Sequence, residues 1–155
     1  MAGSGIDESN IDLGTLHELT GYWLRRAQLN TFRYVNECFA EFEITPGLFG
    51  TLEIVQRNPG LTQTAVASAM GNDRSAMVAI IDKLESRGLL ERRPAPNDRR
   101  SNALYLTAEG EAFQQRVRDR AMEHNRHFFK MLSPEQHQSL FEMLRLIAES
   151  DGRNA

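Results

Sequence analysis

A chain of 155 residues is long enough for one domain with a substantial buried core. Hydrophobic residues make up 41% of it and charged residues 25%, which is ordinary for a globular protein and argues against disorder. The amino terminus lacks the basic start and apolar stretch of a secretory signal, and no apolar run approaches the roughly 20 residues of a membrane span. We therefore expect a cytoplasmic protein without a membrane partner. Its one cysteine, Cys38, excludes an internal disulfide framework.

Positive charge is concentrated in one part of a chain whose formal net charge is −3. Residues 74–100 contain seven Lys or Arg and four Asp or Glu, so this segment carries +3 and the remainder −6. A local basic surface on an acidic protein suits nucleic acid, although a solvated, charge-balanced face would have the same composition.

The first predicted element is a long helix over residues 13–41, where apolar side chains recur at three- and four-residue steps. A long helix at the end of a chain has little of its own domain to pack on, which suggests a partner helix from another subunit. Thr45 and Pro46 predict the start of a second helix, because threonine caps free N–H groups and proline suits the first helical position. A Pro-Gly break at residues 58–60 ends it.

Two shorter helices follow, each opened by a capping side chain. Thr62 caps the first, which ends near Gly71, and Asp73 caps the second, which ends near Gly88. The second helix is predicted to bury Met77, Ile80, Ile81 and Leu84. Its other side is predicted to present Arg74, Ser75, Val78, Ala79 and Asp82 at helical spacing.

A small hairpin and two long helices complete the chain. Residues 89–93 and 102–106 predict short strands, and the polar, turn-rich residues 94–101 predict a protruding loop between them. Thr107 caps a long helix, and Ser133 opens the last one with a capping box.

The order helix, tight turn, helix, strand, basic loop, strand over residues 61–106 predicts a winged helix-turn-helix. In that unit a bracing helix holds a second helix in the major groove of DNA. Arg74 can donate to guanine or phosphate, and Val78 and Ala79 are small enough to approach a thymine methyl. We expect Asp82 to lie off the DNA, because its carboxylate would repel phosphate. A surface helix of a generic bundle is the alternative for this element alone.

The loop supplies a second candidate contact. Arg99 and Arg100 lie near its tip, where a guanidinium can enter a narrow minor groove of strong negative potential. Asp98 beside them can orient a neighbouring arginine through a charge-assisted hydrogen bond. A solvated turn is the alternative, but both elements in the right order make coincidence much less common.

Residues 61–110 resemble the winged-helix core of the MarR family of transcriptional regulators. The matching features include the recognition helix leading into LESRGLL at 84–90, DRR at 98–100 in the wing, and LTAEG at 106–110. The flanking helices also match in number and order, so the resemblance covers nearly the whole chain.

This resemblance implies a mostly α-helical fold with a small β-hairpin wing. It implies a single MarR-like domain over residues 1–155, with a winged-helix DNA-binding lobe at 45–106 between dimerisation helices at 13–41 and 107–150. It further implies a homodimer that binds double-stranded DNA at a pseudo-palindromic operator, with one recognition helix per half-site.

The resemblance also implies residue roles on matching positions. The major-groove segment would be residues 73–79, which include Asp73. Arg100 would enter the minor groove with Asp98 as its orienting partner, and Gln63 and Thr64 would reach phosphate.

Members of the family commonly repress transcription until a small molecule, often an aromatic acid, binds between the dimer helices and the DNA-binding lobe. The resemblance therefore implies a small-molecule effector, and the available side chains suit an aromatic carboxylate or its CoA thioester. The candidate effector-binding residues are Trp23, Arg25, Arg26, Tyr34 and Phe49. Arg26 is the predicted carboxylate clamp. Aromatic residues at helical spacing are also typical of a core, and adjacent arginines are typical of a surface.

A redox switch and a metal switch are the alternatives to an organic effector. Some relatives use a reactive cysteine near the start of the first helix, whereas Cys38 lies near the end of it, so we expect a buried, inert thiol. His124 and His127 are one turn apart, as two metal ligands can be, with Glu123 and His137 as further candidates. Histidines on a polar helix are common at surfaces, so the sequence predicts no metal and no cofactor.

An enzyme is not predicted. The sequence has no phosphate-binding glycine loop, no GxSxG and no HExxH. The remaining alternative to a DNA-binding regulator is an adaptor that uses the same winged fold for protein contacts, because a fold does not determine a function.

Overall fold

The computed structural model describes residues 11–95 and 98–150; the side chains of 95 and 98–101 lie outside this description. The elements are a 3₁₀ helix (Gly14–Glu18), α1 (Thr20–Ala40), α2 (Pro46–Arg57), α3 (Gln63–Met70), α4 (Arg74–Ser86), β1 (Leu90–Ala95), β2 (Asp98–Leu106), α5 (Ala108–Phe128) and α6 (Pro134–Glu149). Contacts divide the chain into two units, with the boundary between Tyr34 and Val35 inside α1. The predicted fold class, mostly helical with a small wing, is confirmed.

The amino-terminal unit corrects the predicted helix over residues 13–41. A short 3₁₀ helix comes first, and Leu19 is extended, with ψ 116°, before α1 begins. The indole of Trp23 donates to the backbone carbonyl of His17 over 3.0 Å, and the two rings meet edge to face. This contact holds the preceding segment back against the first turn of α1. The apolar spacing did not reveal the break, because a three-residue step fits a 3₁₀ helix as well as an α-helix.

The second unit starts its helices at the predicted caps. The side chains of Thr45, Thr62, Asp73, Thr107 and Ser133 each accept a backbone N–H from the first turn of the helix that follows. Gly71 ends α3 with φ +65°, a left-handed conformation that a glycine adopts without strain. These caps set the short turn that joins α3 to α4.

The core of this unit lies between α2, α3, α4, the wing and α5. Its fully buried large side chains are Leu52, Val55, Val66, Met77, Ile81, Leu84, Leu90, Leu104 and Val117. Apolar burial of this kind contributes about 1.5–3 kcal/mol per side chain and holds α4 by one face only. The opposite face of α4 is left outside the core.

The wing is a longer hairpin than predicted. β1 and β2 pair antiparallel from Leu90 and Leu106 out to Ala95 and Asp98, with an irregularity after Pro94. The predicted loop over 94–101 was therefore wrong at most of its positions. In a two-stranded hairpin both strands are edges, so a proline without an N–H donor is tolerated where a turn-rich composition suggested a loop.

Two close contacts connect the wing to its surroundings. Leu104 donates to the carbonyl of Leu61 over 2.9 Å, which adds the segment before α3 to the edge of β2. On the other side, Gly110 in α5 lies so close to Leu89 that an added Cβ would be 2.8 Å from its carbonyl carbon and closer still to its oxygen. The glycine of the LTAEG segment is therefore required by this approach of α5 to the start of the wing.

Arg87 connects three parts of the second unit. It follows α4 and donates to the backbone carbonyls of Glu43 and Phe42 over 2.9 and 3.2 Å. Its guanidinium also lies 5.2 Å from the ring centroid of Phe113 in α5. The carboxyl end of α4 is thus attached to the turn that follows α1.

The last helix keeps its apolar side chains outside the core. Every residue of α6 is described, and none is buried. Its exposed large apolar residues are Phe141, Met143, Leu144, Leu146 and Ile147. A run of exposed apolar side chains on one helix is typical of a surface that contacts another molecule.

Candidate DNA-binding interface

The outward face of α4 carries the side chains predicted for the major groove. Arg74, Ser75, Val78 and Ala79 are all exposed, and Val78 is 39% exposed although it is apolar. Met77 on the opposite side is fully buried. The core therefore holds α4 while a small-residue face with an arginine at its amino end stays open.

Asp73 and Ser75 are joined to each other at the start of α4. The Asp73 carboxylate accepts the backbone N–H of Ala76 and the hydroxyl of Ser75, each over 2.7 Å. These two hydrogen bonds, the backbone one first, hold the pKa of Asp73 below its ordinary value. The structure therefore gives Asp73 a definite role as a helix cap, beside the DNA contact predicted for this segment.

The candidate phosphate contacts lie at the start of α3. Gln63 is half-buried and Thr64 is exposed, and both belong to the first turn after the Thr62 cap. The free N–H groups at the amino end of a helix attract phosphate, so this position suits the phosphate contact predicted for Gln63 and Thr64.

The wing arginines are only partly described. The backbone of Asp98, Arg99 and Arg100 belongs to β2, next to the turn of the hairpin, while their side chains lie outside the described residues. Their predicted roles at the minor groove stay predictions.

Several basic residues of the 74–100 segment are bound within the protein. Arg87 binds the backbone carbonyls described above. Arg92 pairs with Asp82 and Glu85 of α4. Arg93 pairs with Glu91 and lies 4.4 Å from the ring centroid of Tyr105. Three of the seven basic side chains in this segment thus make contacts within the protein, and two of these, Arg92 and Arg93, belong to the wing.

The Arg92 pairing was not predicted from the sequence. The signal that could have indicated it is the pair Asp82 and Glu85, about one helical turn apart on α4, followed by Arg92 as the third residue of β1. Arg92 Nη2 donates to Asp82 Oδ1 over 2.5 Å. The Asp82 carboxylate therefore binds a side chain of the protein, which is compatible with the expectation that it lies off the DNA.

Two of the five candidate effector residues line one concavity in the amino-terminal unit. Trp23 and Arg26 lie there with Asn30 and Arg33, around a volume of about 690 Å³ that is open to solvent. Arg33 donates to the Asn30 side chain over 2.9 Å. Asn30 and Arg33 were not among the candidates from the sequence, although they follow Arg26 at four and seven residues, on the same face of α1.

The other three candidates are placed differently. Arg25 is exposed and Tyr34 half-buried, and neither lines the concavity. Phe49 belongs to the second unit, where its ring lies 5.1 Å from that of Phe39 against the core. These contacts favour a role for Phe49 as an aromatic residue of the core.

The alternative switches find little support in the geometry. Cys38 is 2% exposed, and burial, the largest influence, raises the pKa of its thiol, so the reactive thiolate is disfavoured. Among residues 11–95 and 98–150, no group of three or more potential ligands is placed to hold a metal ion. No helix in that part of the chain combines the length and apolarity needed to cross a membrane.

Known proteins resemble this chain over most of its length. Residues 43–101 match the model of the MarR family. A putative transcriptional regulatory protein for the hcr operon of Thauera aromatica is 34% identical over 139 residues, which are 89% of this chain and 84% of that protein. This relative supports assignment of the whole chain, and not only its winged-helix part.

Solved structures of regulators have the same fold. The transcriptional repressor CouR, bound to a 23-mer DNA duplex, is 38% identical and superimposes with a TM-score of 0.85, covering 90% of this chain and 99% of CouR. CouR bound to p-coumaroyl-CoA is 35% identical with a TM-score of 0.82 at the same coverage. The PcaV regulator of Streptomyces coelicolor, with its natural ligand, is 29% identical with a TM-score of 0.79, covering 90% of this chain and 96% of PcaV.

Three observations point to the same family: the fold, the open face of α4, and the similarity to these regulators. The chain belongs to the MarR family of winged helix-turn-helix, DNA-binding transcriptional regulators and is not an enzyme.

Proposed function

We propose that this regulator is a repressor whose homodimer binds a pseudo-palindromic operator and releases it when an aromatic acyl-CoA thioester or aromatic carboxylate binds. The observation that carries the proposal is the likeness to CouR, a repressor seen both with a DNA duplex and with p-coumaroyl-CoA. The likeness covers nearly the whole of both chains, so it includes the helices that carry the effector residues as well as the winged-helix part.

A second copy of the chain is the proposed partner of α6. The exposed apolar side chains of α6 support this, because burying them against another copy removes apolar area from water. A two-fold dimer would present two copies of α4 to successive half-sites of one operator.

Each copy of α4 would enter the major groove by its open face. Arg74 would bind a base edge, Val78 and Ala79 would pack close to the bases, and Arg100 at the wing would enter the minor groove. Gln63 and Thr64 would bind phosphate at the amino end of α3.

Selection of bound fragments from genomic DNA tests the regulator function. A dimer should recover sites with two related half-sites about one helical turn apart, and its affinity should fall steeply as salt rises. A protein adaptor would recover no sequence and would show no such dependence on salt.

Arg74→Ala tests the major-groove contact. Loss of a base contact should reduce discrimination between the selected operator and random DNA by about 1–3 kcal/mol, or roughly 5- to 150-fold. The matched control is Lys83→Ala, which removes the same charge from an exposed position of the same helix about two and a half turns beyond Arg74, and should keep the preference for the operator. Binding titrations on both duplexes measure this. Equal losses on the two duplexes would instead identify Arg74 as a phosphate contact.

Arg26→Ala tests the effector site. If Arg26 makes a charge-assisted hydrogen bond to the ligand, its loss should raise the p-coumaroyl-CoA concentration needed for DNA release by about 10- to 100-fold. Arg25→Ala is the matched control, because Arg25 is adjacent, equally charged and outside the concavity. Coenzyme A alone and p-coumarate alone are tested in parallel to separate thioester from acid. Release that is equally sensitive in both variants would remove Arg26 from the site.

A further inference from the structure

Arg92 joins the base of the wing to the recognition helix. Its Nη2 donates to Asp82 Oδ1 over 2.5 Å, and its Nη1 donates to Glu85. Its backbone N–H also donates to Glu85 Oε1 over 3.4 Å. Asp82 and Glu85 are three residues apart and so lie on neighbouring parts of the α4 surface. One guanidinium in β1 therefore binds α4 at two points.

The contact joins charged side chains and is partly shielded from water. The Arg92 side chain is 19% exposed, against 58% for Asp82 and 41% for Glu85. Burial by itself would lower the pKa of Arg92, but the hydrogen bonds and negative charges of the two carboxylates outweigh it and raise that pKa. Because a guanidinium is planar with donors in fixed directions, two simultaneous bonds also fix the direction of the strand relative to the helix.

The position of Asp82 gives the contact a second consequence. Asp82 follows Val78 and Ala79 by one helical turn, next to the face proposed to enter the major groove. A free carboxylate there would repel the phosphates on either side of the groove. Arg92 offsets part of this charge: with its one positive charge shared between Asp82 and Glu85, the three side chains together carry −1 and not the −2 of the two carboxylates alone.

We propose that Arg92 is a positioning residue for DNA binding. It holds α4 and the wing in one relative orientation, so that both reach their grooves together, and it offsets part of the negative charge of Asp82 and Glu85 beside the groove; it does not itself bind phosphate. This inference rests on the proposed placement of α4 in the major groove.

A cycle of variants separates positioning from phosphate binding. Arg92→Gln is compared with wild type, and again within the double variant Asp82→Asn/Glu85→Gln, all as full chains on the operator duplex recovered by selection. If Arg92 acts through the carboxylates, Arg92→Gln should lower the affinity for the operator by about fivefold or more in the wild-type background. In the double variant, where both carboxylates are already neutral, it should lower the affinity by at most about twofold, because the effects of interacting residues are not additive. Arg92→Lys should be intermediate, since an ammonium keeps the charge without the two-pronged geometry.

A phosphate contact predicts the opposite pattern. Arg92 released from neutralised partners would bind phosphate at least as well, so Arg92→Gln would lose as much affinity in the double variant as in wild type. That result, or unchanged affinity of Arg92→Gln in the wild-type background, would overturn the inference. If wild type itself bound no duplex, the proposed function would fail first, and that outcome is distinct from either pattern.

Amide hydrogen exchange gives a readout that needs no DNA. In Arg92→Gln the amides of β1 and of the last turns of α4 should exchange faster, while those of α2 and α5 stay protected. Uniform loss of protection would indicate general destabilisation and contradict a positioning role.

Discussion

Gly110→Ala is expected to lower the free energy of unfolding by about 3 kcal/mol or more, the largest stability effect that the structure predicts. The added methyl group would overlap the backbone carbonyl of Leu89, which cannot turn aside as the end of a side chain can. Either α5 or the start of the wing must move. Such a movement is opposed because the same Leu89 carbonyl accepts the Thr107 N–H over 3.2 Å. Urea unfolding at a fixed protein concentration measures the loss.

Gly21→Ala is the matched control for this substitution. It also lies in an α-helix, and a Cβ there would meet no atom within 4 Å. We expect it to be neutral or to stabilise the fold by up to about 1 kcal/mol, because alanine favours a helix more than glycine does. Equal stability of the two variants would mean that the Leu89 approach relaxes at little cost in free energy.

Ala79→Glu is expected to abolish operator binding, with a loss of at least about 100-fold, because a like charge placed against phosphate costs several kcal/mol. Ala79 is exposed on the open face of α4, so the substitution changes this surface without disturbing the core. A titration of the operator duplex with purified protein measures the affinity, and the thermal unfolding midpoint confirms that the fold is kept.

The matched control is Ala112→Glu, which adds the same charge at an exposed alanine of α5. It should bind the operator within about threefold of wild type, since a surface charge away from the contact acts only through screened, long-range electrostatics. Comparable losses in the two variants would show that net charge, and not the α4 face, governs binding.

Local chemistry explains what could be predicted about this fold from its sequence. The caps at Thr45, Thr62, Asp73, Thr107 and Ser133 were all predicted, because a capping side chain bonds to a backbone N–H only two or three residues away. The buried and open faces of α4 followed from helical periodicity. The length of the wing did not, because its outer residues have a composition common to turns and to edge strands.

Long-range pairing explains most of what was missed. Arg92 binds carboxylates seven and ten residues away, in a different element, and sequence spacing does not specify such a contact. The effector candidates show the same limit. Trp23 and Arg26 line one concavity because they are neighbours on one helix, whereas Phe49 was grouped with them by residue type alone and packs on Phe39.

The attachment made by Arg87 gives the regulator a mechanical property. Because Arg87 ties the carboxyl end of α4 to the turn after α1, and because Met77, Ile81 and Leu84 are fully buried, α4 would move together with the core around it, as a rigid 13-residue helix about 20 Å long. A rotation of about 10° about the carboxyl end of α4 would move its amino end through about 3.5 Å, which is more than the length of a hydrogen bond. A rotation of this core as one body, with its packing intact, would therefore be enough to take Arg74 out of register with a base pair.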